Sequence, residues 1–118
     1  MKGDIRVIKN SIPLSLLSEI AEERYGDLVK AVVDVEQGIM ALGGEMHADE
    51  EVILMEQEGS LREHTWGINL LPAESGDEFI QFDSMVNLKP GFGNRTRNVD
   101  NEEIREKIVS IVQRLIKK

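Results

Sequence analysis

LVKAVVDV, residues 28–35, decides how this chain folds. The run is short and rich in β-branched side chains, so it reads as a strand. Alternation puts Val29, Ala31, Val33 and Val35 on one face and Lys30, Val32 and Asp34 on the other. Glu36-Gln37-Gly38 is a turn candidate, and residues 39–42 read as the returning strand. Gly43-Gly44 then breaks the regularity.

Upstream of this pair, Ile5 and Val7 alternate with Arg6 and Lys9, as in a short edge strand. Ser11 and Pro13 mark a helix start, because proline is tolerated in the first turn. Leu14, Leu17, Ile20 and Ala21 recur at helical spacing, Tyr25 extends the stripe, and Gly26 supplies a left-handed cap. The spacing predicts a helix over residues 13–25.

Downstream, residues 45–58 admit two readings. Asp49-Glu50-Glu51 before VILM could open a helix, since acidic residues suit a helix N-terminus. Alternatively, residues 52–57 form a strand that turns at Glu58-Gly59-Ser60, and this reading is favoured. Residues 65–71 follow as a strand, with Trp66, Ile68 and Leu70 on one face and Asn69 opposite. Residues 79–89 read as a long strand with Ile80, Phe82, Val86 and Leu88 on the core face and a bulge at Ser84. Its other row carries Gln81, Asp83, Asn87 and Lys89. After a loop over 90–99, Asp100 looks like an N-cap with Glu103 three residues on. Ile104, Ile108, Ile111, Val112 and Leu115 form the apolar stripe of a helix over 101–116.

The order β-α-β-β-β-β-β-α predicts an α+β fold in two layers. A mainly antiparallel sheet of four to six strands carries two helices on one face, and the face away from them is wet. A chain of 118 residues fits a single domain, 1–118. With 41% hydrophobic and 31% charged residues it is globular rather than disordered. The absence of cysteine excludes disulfides, thiol nucleophiles and cysteine-based metal sites. It also suits a reducing compartment, so a cytoplasmic, soluble protein is expected. A net charge of −8 disfavours nucleic acid as a partner, because acidic surfaces repel phosphate. Residues 1–4 and the brief apolar patch after them do not make a secretory signal, and no apolar run is long enough to span a bilayer.

Three segments carry candidate chemistry. In GGEMHADEE, residues 43–51, His47 and Asp49 point the same way on an extended chain. With Glu50 and with His64 beyond the next turn they could build a metal or acid/base cluster. The spacing matches no zinc motif, so no metal is assigned, and a solvated acidic loop is the plainer reading. In GFGNRTRN, residues 91–98, Arg95 and Arg97 could grip phosphate or carboxylate, Phe92 could stack on a base, and Asn94 could hydrogen-bond. The plainer reading pairs these arginines with the protein's own carboxylates. The third candidate is the polar row of the second sheet face, Asp83, Asn69 and Asn87 with Lys30 and Asp34. Trp66 is expected as a core anchor whose indole N–H needs a partner. Phe79 and Met85, placed on the wet face, suggest a contact with a second copy of the chain.

The runs VKAVVDVEQGIMALGGEMHADEE, WGINLLP, FIQFDSMVNLKP and GNRTRNV occur in that order before the last helix. From about residue 12 to 116 the chain resembles a small family of bacterial and archaeal proteins that carry a domain of unknown function. The resemblance implies one complete domain and brings no activity, cofactor or catalytic residue. The leading expectation is a small binding or interaction module without catalysis, its partner a protein, a small molecule or a second copy. A hydrolytic enzyme using the His47/Asp49 segment is the alternative, followed by phosphate or nucleic-acid binding through the Arg95/Arg97 loop.

Overall fold

The computed structural model describes residues 5–118. Residues 1–4, on which the expectation of no secretory signal partly rests, lie outside the described residues. In chain order the elements are β1 (Arg6–Ile8), β2 (Ile12–Pro13), α1 (Leu14–Arg24), β3 (Val29–Asp34), β4 (Ile39–Leu42) and α2 (His47–Glu58), then β5 (Thr65–Leu70), β6 (Ile80–Gln81), α3 (Glu102–Leu115) and β7 (Ile116–Lys117).

The described residues form a five-stranded antiparallel sheet in the order β1-β4-β3-β5-β6, so the expected α+β class is what forms. β3 is its centre, with Val33 opposite both Met40 and Trp66 and Ala31 opposite both Leu42 and Ile68. These side chains share a face with Val29 and Leu70, and both expected helices pack there. Leu17, Ile20 and Ala21 of α1 join Ile108, Ile111, Val112 and Leu115 of α3 in one apolar cluster with them. Trp66 is buried in it as expected, but its Nε1 has no hydrogen-bond partner among the described residues. Gly26 ends α1 at φ 89°, donating to Ala21 O. A short parallel pair, β2 with β7, ties the start of α1 to the end of α3 and was not foreseen.

Residues 52–57 are not a strand, and the second sheet face is not wet. These residues belong to α2, which Gly59 ends in the left-handed region at φ 71°. Leu54 of α2 packs with Val32, Ile39 and Ala41, so a helix covers the face expected to meet water. The apolar pattern hid this, because the buried positions of α2 are His47, Glu50, Glu51 and Leu54. Meanwhile Val52 and Met55 point to solvent.

The long strand over 79–89 does not form either. Only Ile80–Gln81 pairs with β5, and Ser84 then caps a single 3-10 turn, Met85–Asn87, by accepting from the Val86 N–H. The turn buries Val86 and Asn87 side by side. Phe79 therefore sits in the main core while Met85 is exposed, and the apolar pair expected on a wet face is split. At the last helix the cap is Asn101, whose Oδ1 accepts from the Ile104 N–H. Asp100 instead accepts from the Arg95 N–H and the Thr96 hydroxyl.

Candidate functional site

The second face of the sheet is polar toward β5 and β6, and glycine decides what approaches it. A Cβ on Gly67 would lie 2.5 Å from Ser84 Cβ and Oγ, so the segment after β6 packs directly on bare backbone. Asn87 fastens it there. Its Oδ1 accepts from the Gly67 N–H at 2.8 Å and its Nδ2 donates to Gly67 O at 3.0 Å and Arg97 O at 2.9 Å. The side-chain amide thus replaces the strand that β6 is too short to provide. Asn94 holds the following loop by donating to the carbonyls of Asn87, Thr96 and Asn98 and accepting from the Asp100 N–H. Both asparagines are buried scaffold rather than ligand contacts.

This packing leaves a cavity of about 210 Å³ between the start of α2, the sheet and the loop. Lys30 from β3, His47 from α2, Asn69 from β5, and Asp83 and Arg97 from the loop line it, with Met46 and Met85 exposed at its rim. Residues from each of the three candidate segments therefore converge here. His47 Nε2 donates to Ile68 O at 2.8 Å, which sets the tautomer and leaves Nδ1 as the acceptor. Burial pushes the His47 pKa below its ordinary 6.5, and Lys30 adds to this against the Ile68 carbonyl, the Asp83 carboxylate and the Asn69 side chain, so the neutral ring is favoured at pH 7. Arg97 Nε donates to Asp83 Oδ1 at 2.8 Å. Asn69 Nδ2 donates to Gln81 Oε1 at 2.8 Å, while its Oδ1 is buried without a partner among the described residues. No side chain caps α2, so its first-turn N–H groups lack a side-chain acceptor.

The other expected contributors lie elsewhere. Glu50 is fully buried one turn along α2, accepting from the Gly44 N–H at 2.8 Å. Burial pushes its carboxyl well above the ordinary 4.5, against the effect of that N–H. Asp49 is half-buried beside it, and His64 meets Glu63 beyond the far end of α2. No group of three or more His, Asp or Glu that could hold a metal ion occurs among the described residues, so the His47/Asp49/Glu50/His64 cluster does not form. Phe92 and Arg95 are exposed on the outer loop, away from the cavity lining. A larger groove of about 920 Å³ runs between α3 and the β6 edge, past Phe79, Phe82, Val109 and Arg105. None of the buried unpartnered polar atoms belongs to its lining. The sequence signal for the site is the acidic run 49–51, whose helical reading is the less favoured of the two. Read as a helix first turn, it places His47 at a helix start.

At the other end of β5, Lys89 is buried and donates to the carbonyls of Arg62 and Thr65, with Nζ 4.1 Å from the Trp66 ring centroid. Burial lowers its pKa from 10.5 to about 8, and neighbouring Arg62 pushes the same way. Between those two values the unfolded chain keeps a proton that the folded chain has released, so stability rises with pH across that window. Below about 8 the folded state carries the full cost of the buried charge. Urea midpoints measured across the window should rise in the wild type. The rise should be missing in Lys89→Met.

No helix among the described residues is long and apolar enough to cross a membrane. No curated protein and no solved structure matches the chain. A family model described as a protein of unknown function, DUF5674, matches residues 6–115, nearly the whole sequence, and the chain belongs to that family.

Proposed function

We propose that this protein is a small-molecule-binding module of the cytoplasm whose ligand enters the cavity at the start of α2. One observation carries the reading: Lys30 from β3, His47 from α2, Asn69 from β5, and Asp83 and Arg97 from the loop converge on one cavity. The charges support an anion. Arg97 offers its terminal nitrogens beyond the bond to Asp83, and Lys30 has no ion pair among the described residues. A panel of small carboxylates and phosphates should contain a compound that raises the melting temperature. Its stabilisation should follow RT ln(1 + [L]/Kd). Lys30→Met should remove most of that gain. A panel without effect on the wild type would defeat the proposal.

A second reading, acid/base catalysis by His47, is favoured by one feature. The ring is neutral and its proton is held on Nε2 by the Ile68 carbonyl, so Nδ1 is poised to accept a proton. His47→Gln retains a donor for that carbonyl. On this reading the variant still binds the ligand but no longer converts it. Equal turnover in both proteins would remove His47 as the base, and no turnover in either would leave binding as the whole function.

A further inference from the structure

We infer that the open edge of the sheet at β6 takes an extended, basic segment of a partner protein as a further strand, seated in the groove between β6 and α3.

The backbone supplies the first argument. β6 pairs with β5 on one side and ends the sheet on the other. The Leu71 N–H donates to Phe79 O at 2.9 Å, so the antiparallel alternation turns the N–H and C=O of Ile80 away from β5. Those two groups are placed for the main chain of another strand. Space supplies the second. The groove of about 920 Å³ lies along this edge, lined by Phe79, Phe82, Val109 and Val112. At ~30 Å³ for each water-sized group it holds roughly thirty non-hydrogen atoms, or about four residues of extended chain. A hollow of about 340 Å³ continues it past Glu106 and Ser110.

Charge chooses the occupant. Five carboxylates, Glu74, Asp77, Glu78, Glu102 and Glu106, line these spaces and the pocket beside Leu71, against two cations, Arg105 and Lys118. None of the five is in an ion pair among the described residues. Asp83, the residue after Phe82, is matched by Arg97. The positive end of α3 offsets part of the Glu102 charge, and acid still predominates. Lys118 shows what the floor of the groove accepts, because its ammonium lies 4.7 Å from the centroid of the Phe79 ring. A lysine or arginine of the partner can lay its aliphatic stem on Phe82 and Val109 and reach Glu102 or Glu106 with its charge. A second copy of this chain is a poor occupant. A symmetric contact through β6 sets each acidic flank against its own like, in a chain of net charge −8. A two-residue strand offers few main-chain bonds, so the charges set most of the affinity.

The test is an amide NMR titration of the whole chain, at low ionic strength, with a capped hexapeptide alternating lysine and valine. Shifts are expected at Ile80, Gln81 and Phe82 and along residues 102–113, and a counterpart alternating glutamate and valine should cause none. Only every second amide of an added strand faces the edge, so N-methylation of one alternate set should weaken binding about tenfold and the other set should be tolerated. Glu102→Gln with Glu106→Gln, both exposed, should weaken the lysine peptide about fivefold. Equal binding of the acidic peptide, indifference to both methylated sets, or unchanged affinity in the double variant overturns the proposal. Silence from the lysine peptide at millimolar concentration does the same. A wild-type chain that sediments as a dimer, with concentration-dependent shifts at β6, assigns the edge to a second copy and overturns it too.

Discussion

Asn87→Leu is expected to lower the unfolding free energy by about 4 kcal/mol, since it strips partners from several buried backbone groups at about 1–3 kcal/mol each. The leucine fills nearly the same volume, so a cavity contributes little. What is lost is the pair of bonds that makes the side chain act as a strand. The Gly67 N–H and C=O lose their only partner on that side, and Arg97 O loses its donor. A natural domain has about 5–15 kcal/mol in total, so the variant should be partly unfolded at 37 °C. Urea denaturation followed by Trp66 fluorescence measures this. Asn87→Asp separates hydrogen bonding from packing. Its carboxylate can accept from Gly67 N–H but repels Gly67 O, and protonation restores a donor. The Asp variant should therefore regain stability relative to the wild type as pH falls through its carboxyl pKa. A loss below 1 kcal/mol in Asn87→Leu would mean that the segment after β6 is held by something else.

Gly67→Ala should cost about 3 kcal/mol, the upper part of the range for overpacking. The added methyl would sit 2.5 Å from Ser84 Cβ and Oγ and 2.9 Å from Val86 Cγ2. The turn that carries those atoms is pinned by Asn87 and cannot retreat without breaking its bonds. Glycine is needed here for space, because φ at this position lies outside the left-handed region. Ser84→Gly in the same chain should restore part of the loss, and the coupling energy from the double-mutant cycle reads the contact directly. If the two substitutions simply add, the close approach is not the cause.

These two positions also show where sequence reading stops. β3 announces itself, because Val29, Ala31 and Val33 alternate toward α1 and α3. Both of those helices carry their apolar residues on the inward side, so their spacing survives in the sequence. α2 inverts the rule. Glu50 and Glu51 are inside, where the Gly44 N–H meets one Glu50 oxygen and Arg62 and Thr65 satisfy Glu51, and Val52 and Met55 are outside. A pattern of greasy and polar letters cannot reveal a helix whose buried face is acidic. Likewise, nothing local distinguishes an asparagine that imitates a strand from one that waits for a ligand. For the site, His47, Asn69, Asp83 and Arg97 were visible as candidates. Their meeting was not, because it depends on α2 crossing the sheet and on the turn that replaces the expected strand.

The parallel pairing of Ile12 with Ile116 has a bearing on how the molecule is made. A ribosome delivers Ile12 long before Ile116, so this clasp waits until α3 has emerged. Until then the inward stripe of α3 is absent and the residues it covers stand open to other nascent chains. Closure of so wide a loop is slow in its own right. The interval between the synthesis of β2 and that of β7 is therefore when the emerging core is most open to wrong partners.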